Sequence, residues 1–269
     1  MSDIKLGFIG AGNMASAIIK SIINSGYIKS EHLYVYDVIE EKANTFASNG
    51  ITVCKDLSSL VKMSDFVFLC VKPQSFCDVA NVISPYLTID KCVVSIMAGI
   101  KISTIKESLE FNPCVIRIMP NTPLLLSMGA SALCRSNDVS DDKFNFVFDI
   151  FSRCGKAIET DESKISAVTA ISGSGPAYFF KFARAAIEQG VELGLTNEEA
   201  LTLLCQTMRG SADMLELSKK SADDLITMVT SPKGTTLAAN ESFDKNSFEP
   251  IVKEAIKACY DRAVELSGD

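Results

Sequence analysis

Apolar residues recur along this chain in two rhythms. Up to about Thr160, short runs rich in β-branched and aromatic residues (4–9, 33–36, 51–53, 66–71, 92–96 and 114–118) alternate with stretches whose apolar positions repeat every three or four residues (14–25, 40–48, 57–63, 76–84 and 103–109). The first kind predicts strands and the second predicts amphipathic helices. Strands separated by helices of this length imply βαβ units and a mainly parallel sheet. Segments 131–135 and 157–159 predict further strands, with a helix at 141–151 between them. Beyond Asp161 the strand rhythm stops, and segments 165–193, 198–218 and 250–266 carry only the helical spacing.

Local signals sharpen these limits. Thr196-x-x-Glu199 has the form of a capping box heading the second long helix, while Gly190 and Gly194 bracket the end of the first. Pro176 falls inside that first helix and predicts a kink. No linker rich in proline or glycine parts the two textures. The chain therefore reads as an α/β domain over residues 1–162 joined tightly to an all-α domain over 163–269. Long helices with apolar stripes and no sheet to cover them predict burial against a second chain.

Composition narrows the class. Of 269 residues, 47% are hydrophobic and 22% charged, which excludes a disordered or fibrous chain. Acidic side chains outnumber basic ones by 33 to 26, a net charge of −7, which argues against nucleic acid as a partner. No apolar run approaches the ~18 residues that span a bilayer. The Met1-Ser2-Asp3 start runs straight into a strand pattern with no signal-peptide architecture. The expectation is a cytoplasmic protein without membrane contact. Nine cysteines with no CxxC pair suit neither a disulfide framework nor a metal site, and predict reduced core thiols. The one histidine, His32, lies in a polar stretch and is expected on a surface loop. Serine–histidine hydrolases and HExxH metalloproteases are thereby excluded.

The first chemical signal is Gly10-Ala11-Gly12-Asn13-Met14-Ala15, between an apolar strand and a helix. In such a turn the first glycine permits the bend, the second lets a pyrophosphate approach the backbone, and the small third residue lets helix and strand pack closely. The helix start then offers free N–H groups to the phosphates. The second strand ends in Asp37, at the distance where such folds grip the adenosine ribose; a capping Asp is the alternative. No arginine follows, and Lys42 is the nearest base, so NADH is expected to be accepted well against NADPH unless Lys42 receives the phosphate. Loops at the ends of later strands carry Val71-Lys72-Pro73, Ala98-Gly99 and Met119-Pro120-Asn121, where ligands of open α/β sheets bind. An Asn121 amide can hold a nicotinamide carboxamide.

Two runs in the helical part stand apart. Ser172-Gly173-Ser174-Gly175-Pro176 puts residues costing about 1 kcal/mol each (Gly) and about 3 kcal/mol (Pro) where a helix interior is expected, which suits a close approach of backbone or ligand. In Ser231-Pro232-Lys233-Gly234-Thr235-Thr236, Ser231 and Pro232 read as an N-cap and a first-turn proline. The N–H groups and hydroxyls of that start form a carboxylate site, or else an ordinary polar helix start.

These segments occur in one order: Gly-Phe-Ile-Gly-Ala-Gly-Asn-Met from Gly7, Val-Lys-Pro-Gln from Val71, Ala-Gly-Ile from Ala98, Met-Pro-Asn-Thr-Pro from Met119, Ser-Gly-Ser-Gly-Pro-Ala-Tyr from Ser172 and Ser-Pro-Lys-Gly-Thr-Thr from Ser231. Together, over about residues 5 to 265, they resemble the pyrroline-5-carboxylate reductase family. The resemblance implies a Rossmann domain, then a helical domain through which two chains intertwine as a dimer or a larger assembly of dimers. It implies NADPH or NADH as hydride donor and 1-pyrroline-5-carboxylate as substrate, reduced to L-proline in the last step of proline biosynthesis. The cofactor falls to Gly10, Ala11, Gly12, Asn13, Met14, Asp37, Val71, Lys72, Pro73, Ala98, Gly99 and Asn121. The substrate carboxylate falls to Ser231, Lys233, Gly234, Thr235 and Thr236, with Thr236 and Ser231 the catalytic candidates and Thr236 bonding the ring nitrogen. Three sites depart from the family pattern: Lys233 for a usual glycine, the pair Ser221-Ala222 for a common His-Pro, and Thr227 for a charged residue. Lys233 is expected to take a helical φ and be tolerated. Two other readings stand beside this one. A 3-hydroxyacid dehydrogenase-like enzyme would have only Lys181 as its helical acid, and a non-catalytic dinucleotide-binding sensor draws support from Lys233.

Overall fold

A computed structural model describes residues 3–268; Met1, Ser2 and Asp269, which belong to the expected domain limits and N-terminal start, lie outside the described residues. The first part runs β1 (Leu6–Ile9), α1 (Asn13–Ser25), β2 (Leu33–Tyr36), α2 (Glu40–Asn44), β3 (Thr52–Val53), α3 (Leu57–Met63), β4 (Phe66–Leu69), α4 (Phe76–Ile83), β5 (Cys92–Ser95), α5 (Ile102–Glu107), β6 (Cys114–Met119), β7 (Gly129–Arg135), α6 (Asp141–Arg153) and β8 (Gly155–Glu159). All strands join one sheet in the order β3-β2-β1-β4-β5-β6-β7-β8. Pairing is parallel except between β6 and β7, as expected for a short loop that carries no crossover helix. Strands β1, β4 and β5 are buried on both faces, which is why they read as unbroken apolar runs.

Alternation along the strands sends side chains into two cores. On one face, Phe8 stacks on its register partner Phe68 with centroids 4.5 Å apart, beneath Ile18 and Ile22 of α1 and Val147 and Ile150 of α6. On the other, Val67, Leu69, Val93 and Val115 pack under Leu60 of α3, Phe76 of α4 and Ile105 of α5. Arg117 on β6 points to this second face and is almost fully buried. Its Nη1 donates to Glu162 Oε1 at 2.8 Å, and the same oxygen accepts the Ile102 N–H at 2.8 Å. One carboxylate thus ties β6 to the start of α5.

The later part runs α7 (Ile165–Val168), a π-turn (Thr169–Gly173), α8 (Gly175–Glu192), α9 (Asn197–Leu217), α10 (Ala222–Val229), α11 (Thr235–Lys245) and α12 (Phe248–Ser267). The chain divides into two compact units, one holding the residues up to Pro176 and those from Cys259 on, the other Ala177–Ala258. In the second unit Leu203, Leu215, Leu217, Ile226 and Met228 are exposed, and the buried part of α9 is Ala200. No helix among the described residues is long and apolar enough to cross a membrane.

Several local expectations are corrected. The helix expected over 40–48 stops at Asn44, where Thr45 Oγ1 bonds back to the Lys42 carbonyl at 2.7 Å and a 3₁₀ turn (Ala47–Asn49) runs to Gly50 at φ +78°. The single helix expected over 165–193 is broken: the Ser174 N–H reaches Thr169 O at 2.8 Å in π geometry. Pro176 then stands in the first turn of α8, where no N–H is needed, so it does not kink a helix interior. His32 ends a short 3₁₀ turn with only 15% of its side chain exposed, not on an open loop. Helix α10 was not expected at all, although Ser221 and Asp224 form a full capping box ahead of Leu225, Ile226 and Met228.

Candidate active site

The sheet's strand order turns back at β1, which lies between β2 and β4, and the carboxyl ends there form the crevice where such sheets hold ligands. Gly10 leaves β1 at φ +101°, and a Cβ on it would stand 2.6 Å from the Cys70 carbonyl oxygen. Its N–H donates to Tyr36 O at 2.7 Å. Gly12, the N-cap of α1, faces open space with nothing within 4 Å of a built Cβ, and no side chain caps the helix. The first-turn N–H groups of α1, from Asn13 and Met14 onward, are therefore left to an outside acceptor. Ala15 is fully buried, which accounts for the small third residue of the motif. Burial pushes the Cys70 thiol up, so the wall of the turn stays neutral.

Asp37 is turned partly inward. Its Oδ2 accepts the Ala11 N–H at 2.7 Å and its Oδ1 the Ile39 N–H at 2.9 Å. Beside it, a cleft of about 350 Å³ is lined by Ala11, Gly12, Asn13, Ser16, Lys42 and Thr45. Ser16 and Thr45 were not among the expected site residues. Ser16 stands one turn beyond Gly12 on α1 and Thr45 three residues beyond Lys42, so helical spacing from residues already singled out was the available signal.

The other loops fall as follows. Lys72 is exposed and precedes a 3₁₀ turn opened by Pro73, with the Ser75 N–H on Lys72 O at 2.9 Å; Val71 is half-buried. Ala98 is exposed, and Gly99, at φ +75°, lies where a Cβ would be 3.1 Å from Leu266 O of α12. Asn121 is buried, and its amide is committed inside the protein: Oδ1 accepts the Ala130 N–H at 2.8 Å and Nδ2 donates to Ser172 O at 3.1 Å. The adjoining Gly173 would place a Cβ 2.5 Å from Met119 Cε. The glycine–serine run therefore answers a close approach of the β6 loop.

The 231–236 segment differs from its expectation. Helix α11 starts at Thr235 with Gly234 as N-cap, and Ser231 supplies no cap bond. Instead the Gly234 N–H donates to Ser231 O at 3.0 Å, closing a turn with Pro232 and Lys233 at its centre. Lys233 has φ +60°, so with proline before it this is a type II turn, whose third position favours glycine. The helical φ expected for Lys233 is thereby corrected, and the family's glycine at this position acquires a backbone reason. A Cβ on Gly234 would lie 2.3 Å from Ser231 Oγ. The N-cap is a glycine without a side-chain acceptor, so the first-turn N–H groups of α11 are open to an anion. Thr230 fastens the loop from behind: its Oγ1 donates to Ile226 O at 2.7 Å and accepts from Asn240 Nδ2 at 3.3 Å. We expect Lys233→Gly to hold or slightly raise stability. Lys233→Val, a β-branched residue forced to positive φ, should lower it by about 1–2 kcal/mol. Urea midpoints of the two variants measure the difference.

Residues 5–99 match the family described as NADP oxidoreductase, coenzyme F420-dependent, and residues 162–266 match pyrroline-5-carboxylate reductase dimerisation. With the Rossmann sheet and its glycine turn, these matches make the protein a nicotinamide-dinucleotide-dependent oxidoreductase. It is 37% identical over 262 residues to a pyrroline-5-carboxylate reductase of Pisum sativum, covering 97% of this chain and 96% of that one. It is 38% identical over 268 residues to one of Pseudomonas aeruginosa, covering 99% and 98%. The chain belongs to the pyrroline-5-carboxylate reductase family. Its fold matches a Plasmodium falciparum pyrroline carboxylate reductase solved with NADP bound, with a TM-score of 0.91, 33% identity and 99% of each chain covered.

Proposed function

We propose that this chain reduces the C=N bond of 1-pyrroline-5-carboxylate with NADPH or NADH, giving L-proline, as a cytoplasmic homodimer or an assembly of such dimers. The observation that carries the reading is the pair of open helix starts, one behind the glycine turn at Gly12 and one behind the type II turn at Gly234. The first suits a pyrophosphate and the second a carboxylate. The bound dinucleotide supplies the hydride. The residues present fit it: Gly12 offers bare backbone, and Asn13 and Met14 turn their N–H groups outward. Lys72 and the backbone at Val71, Pro73, Ala98 and Gly99 border the same strand ends. Asn121 serves that border by holding its loop, since its own amide is engaged elsewhere.

The substrate part needs little acid–base machinery, because a protonated imine is already electrophilic at carbon. The N–H groups of Thr235 and Thr236 hold the carboxylate, Ser231 and the Lys233 ammonium flank it, and Gly234 keeps the turn tight. Thr236 Oγ1, which makes no hydrogen bond among the described residues, is left to bond the ring nitrogen and orient it. Positioning of this kind supplies several kcal/mol of barrier reduction. Dimerisation is supported by the family match over 162–266 and by the exposed leucines of α9. No nucleic-acid partner suits a chain of net charge −7.

NAD(P)H oxidation in the presence of pyrroline-5-carboxylate tests the reading directly. Oxidation dependent on the imine, with proline as product, supports it; cofactor binding without turnover points to the sensor alternative. The cleft also bears on cofactor choice. Asp37 has both oxygens on backbone N–H groups, and Lys42 lines the cleft beside Gly12, which supports Lys42 as the group that receives a 2′-phosphate. Lys42→Ala should cut kcat/KM for NADPH roughly 10- to 100-fold, the worth of a charge-assisted hydrogen bond, and leave NADH within about twofold. An equal loss with both cofactors would remove Lys42 from the phosphate site.

A further inference from the structure

Two thiols that the reductase chemistry does not use open adjacent strands. Cys92 begins β5 and Cys114 begins β6, and they are register partners in the parallel ladder. Both side chains lie in the same apolar cluster, on one face of the sheet. Neighbouring strands stand about 4.8 Å apart, inside the roughly 4.4–6.8 Å that a disulfide spans between Cα atoms. Register pairing therefore sets the two Cα atoms within the range a disulfide spans.

The surroundings single out Cys114 as the reactive member. Its S–H donates to Lys91 O at 3.4 Å and its sulfur is approached by Lys143 Nζ at 3.7 Å, while the Cys92 S–H donates to Val93 O at 3.9 Å. Lys143 is anchored there by the Asp90 carbonyl at 2.6 Å. Asp138 is the nearby opposing charge, and Lys106 Nζ engages its carboxylate at 2.8 Å; the Asp90 carboxyl stands on the same rim. The neighbouring Cys92 thiol and the Lys143 ammonium outweigh burial and bring the Cys114 thiol down to about 7, while Cys92 is pushed well up. Burial is the main cause that pushes the Cys54, Cys70, Cys134 and Cys154 thiols up, with Asp56 adding to it at Cys54 and Glu162 at Cys134. No group of three or more metal-ligating side chains occurs among the described residues, so the pair is not part of a tetrahedral metal site.

We propose that Cys92 and Cys114 form a thiol pair that hydrogen peroxide oxidises to a disulfide across β5 and β6. The Cys114 thiolate attacks one peroxide oxygen, the O–O bond breaks, and the departing hydroxide takes a proton from solvent to leave as water. Cys114 is then a sulfenic acid. The Cys92 sulfur attacks the Cys114 sulfur, the S–O bond breaks, and the leaving hydroxide takes the Cys92 proton as a second water. Two thiols lose two electrons and one peroxide gains them. Lys143 is a positioning residue that favours the thiolate.

The full-length protein, treated with hydrogen peroxide at pH 6 and at pH 8, then alkylated after unfolding and mapped by mass spectrometry, tests this. The expected result is loss of two alkylatable thiols and one linked peptide pair, Cys92 with Cys114, reversed by dithiothreitol. The rate should rise about tenfold between the two pH values, following the thiolate fraction. Lys143→Met, a surface change that spares both strands, should slow the reaction and move its pH profile upward. Cys92→Ser should leave Cys114 trappable by dimedone as a sulfenic acid. The proposal fails if Cys92 and Cys114 stay alkylatable while the exposed Cys77 oxidises. It fails equally if the linked pair involves other cysteines, or if the rate is the same at both pH values and in Lys143→Met.

Discussion

Thr236→Ala is expected to lower kcat for pyrroline-5-carboxylate reduction by roughly 10²-fold while changing substrate KM by less than about threefold. The asymmetry follows from what the hydroxyl is asked to do. Thr236 stands in the first turn of α11, half-buried. On the proposed reading it bonds the ring nitrogen, and a bond that changes as the imine becomes an amine matters more in the transition state than in the bound substrate. Ser231→Ala should act mainly on KM, since its hydroxyl belongs to the turn proposed to receive the carboxylate end. Cofactor affinity should stay at the wild-type value for both. Steady-state kinetics with a separate cofactor titration resolve the three quantities. If both variants keep full kcat/KM, the 231–236 segment is only a helix start and the substrate assignment is wrong.

A second large effect is expected at the glycine turn, where two neighbouring glycines should behave differently. Gly10→Ala forces a side chain to φ +101° with its Cβ 2.6 Å from a backbone oxygen that cannot rotate away. Strain of about 1–2 kcal/mol and overpacking of about 1–3 kcal/mol both apply, so the variant should lose several kcal/mol of stability and bind dinucleotide poorly. Gly12→Ala meets nothing inside the protein. Its stability should stay within about 0.5 kcal/mol of wild type, yet the added methyl occupies the approach to the backbone, and affinity should fall at least about tenfold. Thermal unfolding without cofactor, set beside fluorescence titration with NADPH, separates the two cases. Equal stability in both variants would count against the geometry of the turn.

The central strands were legible because burial on both faces leaves a plain mark; β2 and α3 fall where the apolar runs put them, and the remaining strands differ by a few residues at their ends. The glycine turn was legible for another reason, since Gly10 is required by its φ and by Cys70 together. What was not legible depends on contacts distant in sequence or on backbone angles that side-chain type does not determine. Asn121 looks like a ligand for a carboxamide until Ala130 and Ser172 are seen to occupy its amide. Ser231-Pro232 has the composition of a helix start, and only the left-handed Lys233 shows that a turn comes first. Helix α10 carried a readable capping box, but its eight residues are short and were absorbed into the segment between two stronger signals. The pairing of Cys92 with Cys114 needed the register of two strands separated by a whole helix.

The inward turn of Asp37 has a consequence for how the dinucleotide is received. The Ala11 N–H is held at 2.7 Å by a carboxylate from the end of β2, and the Gly10 N–H at 2.7 Å by the Tyr36 carbonyl. Both anchors belong to the chain, so the loop's shape does not wait on bonds from a ligand. Ordering a backbone residue costs about 1–2 kcal/mol of conformational entropy, and here that cost is met during folding, not at encounter. The turn meets its cofactor as a rigid receptor, and the free energy of the phosphate contacts goes into affinity instead of into freezing a loop.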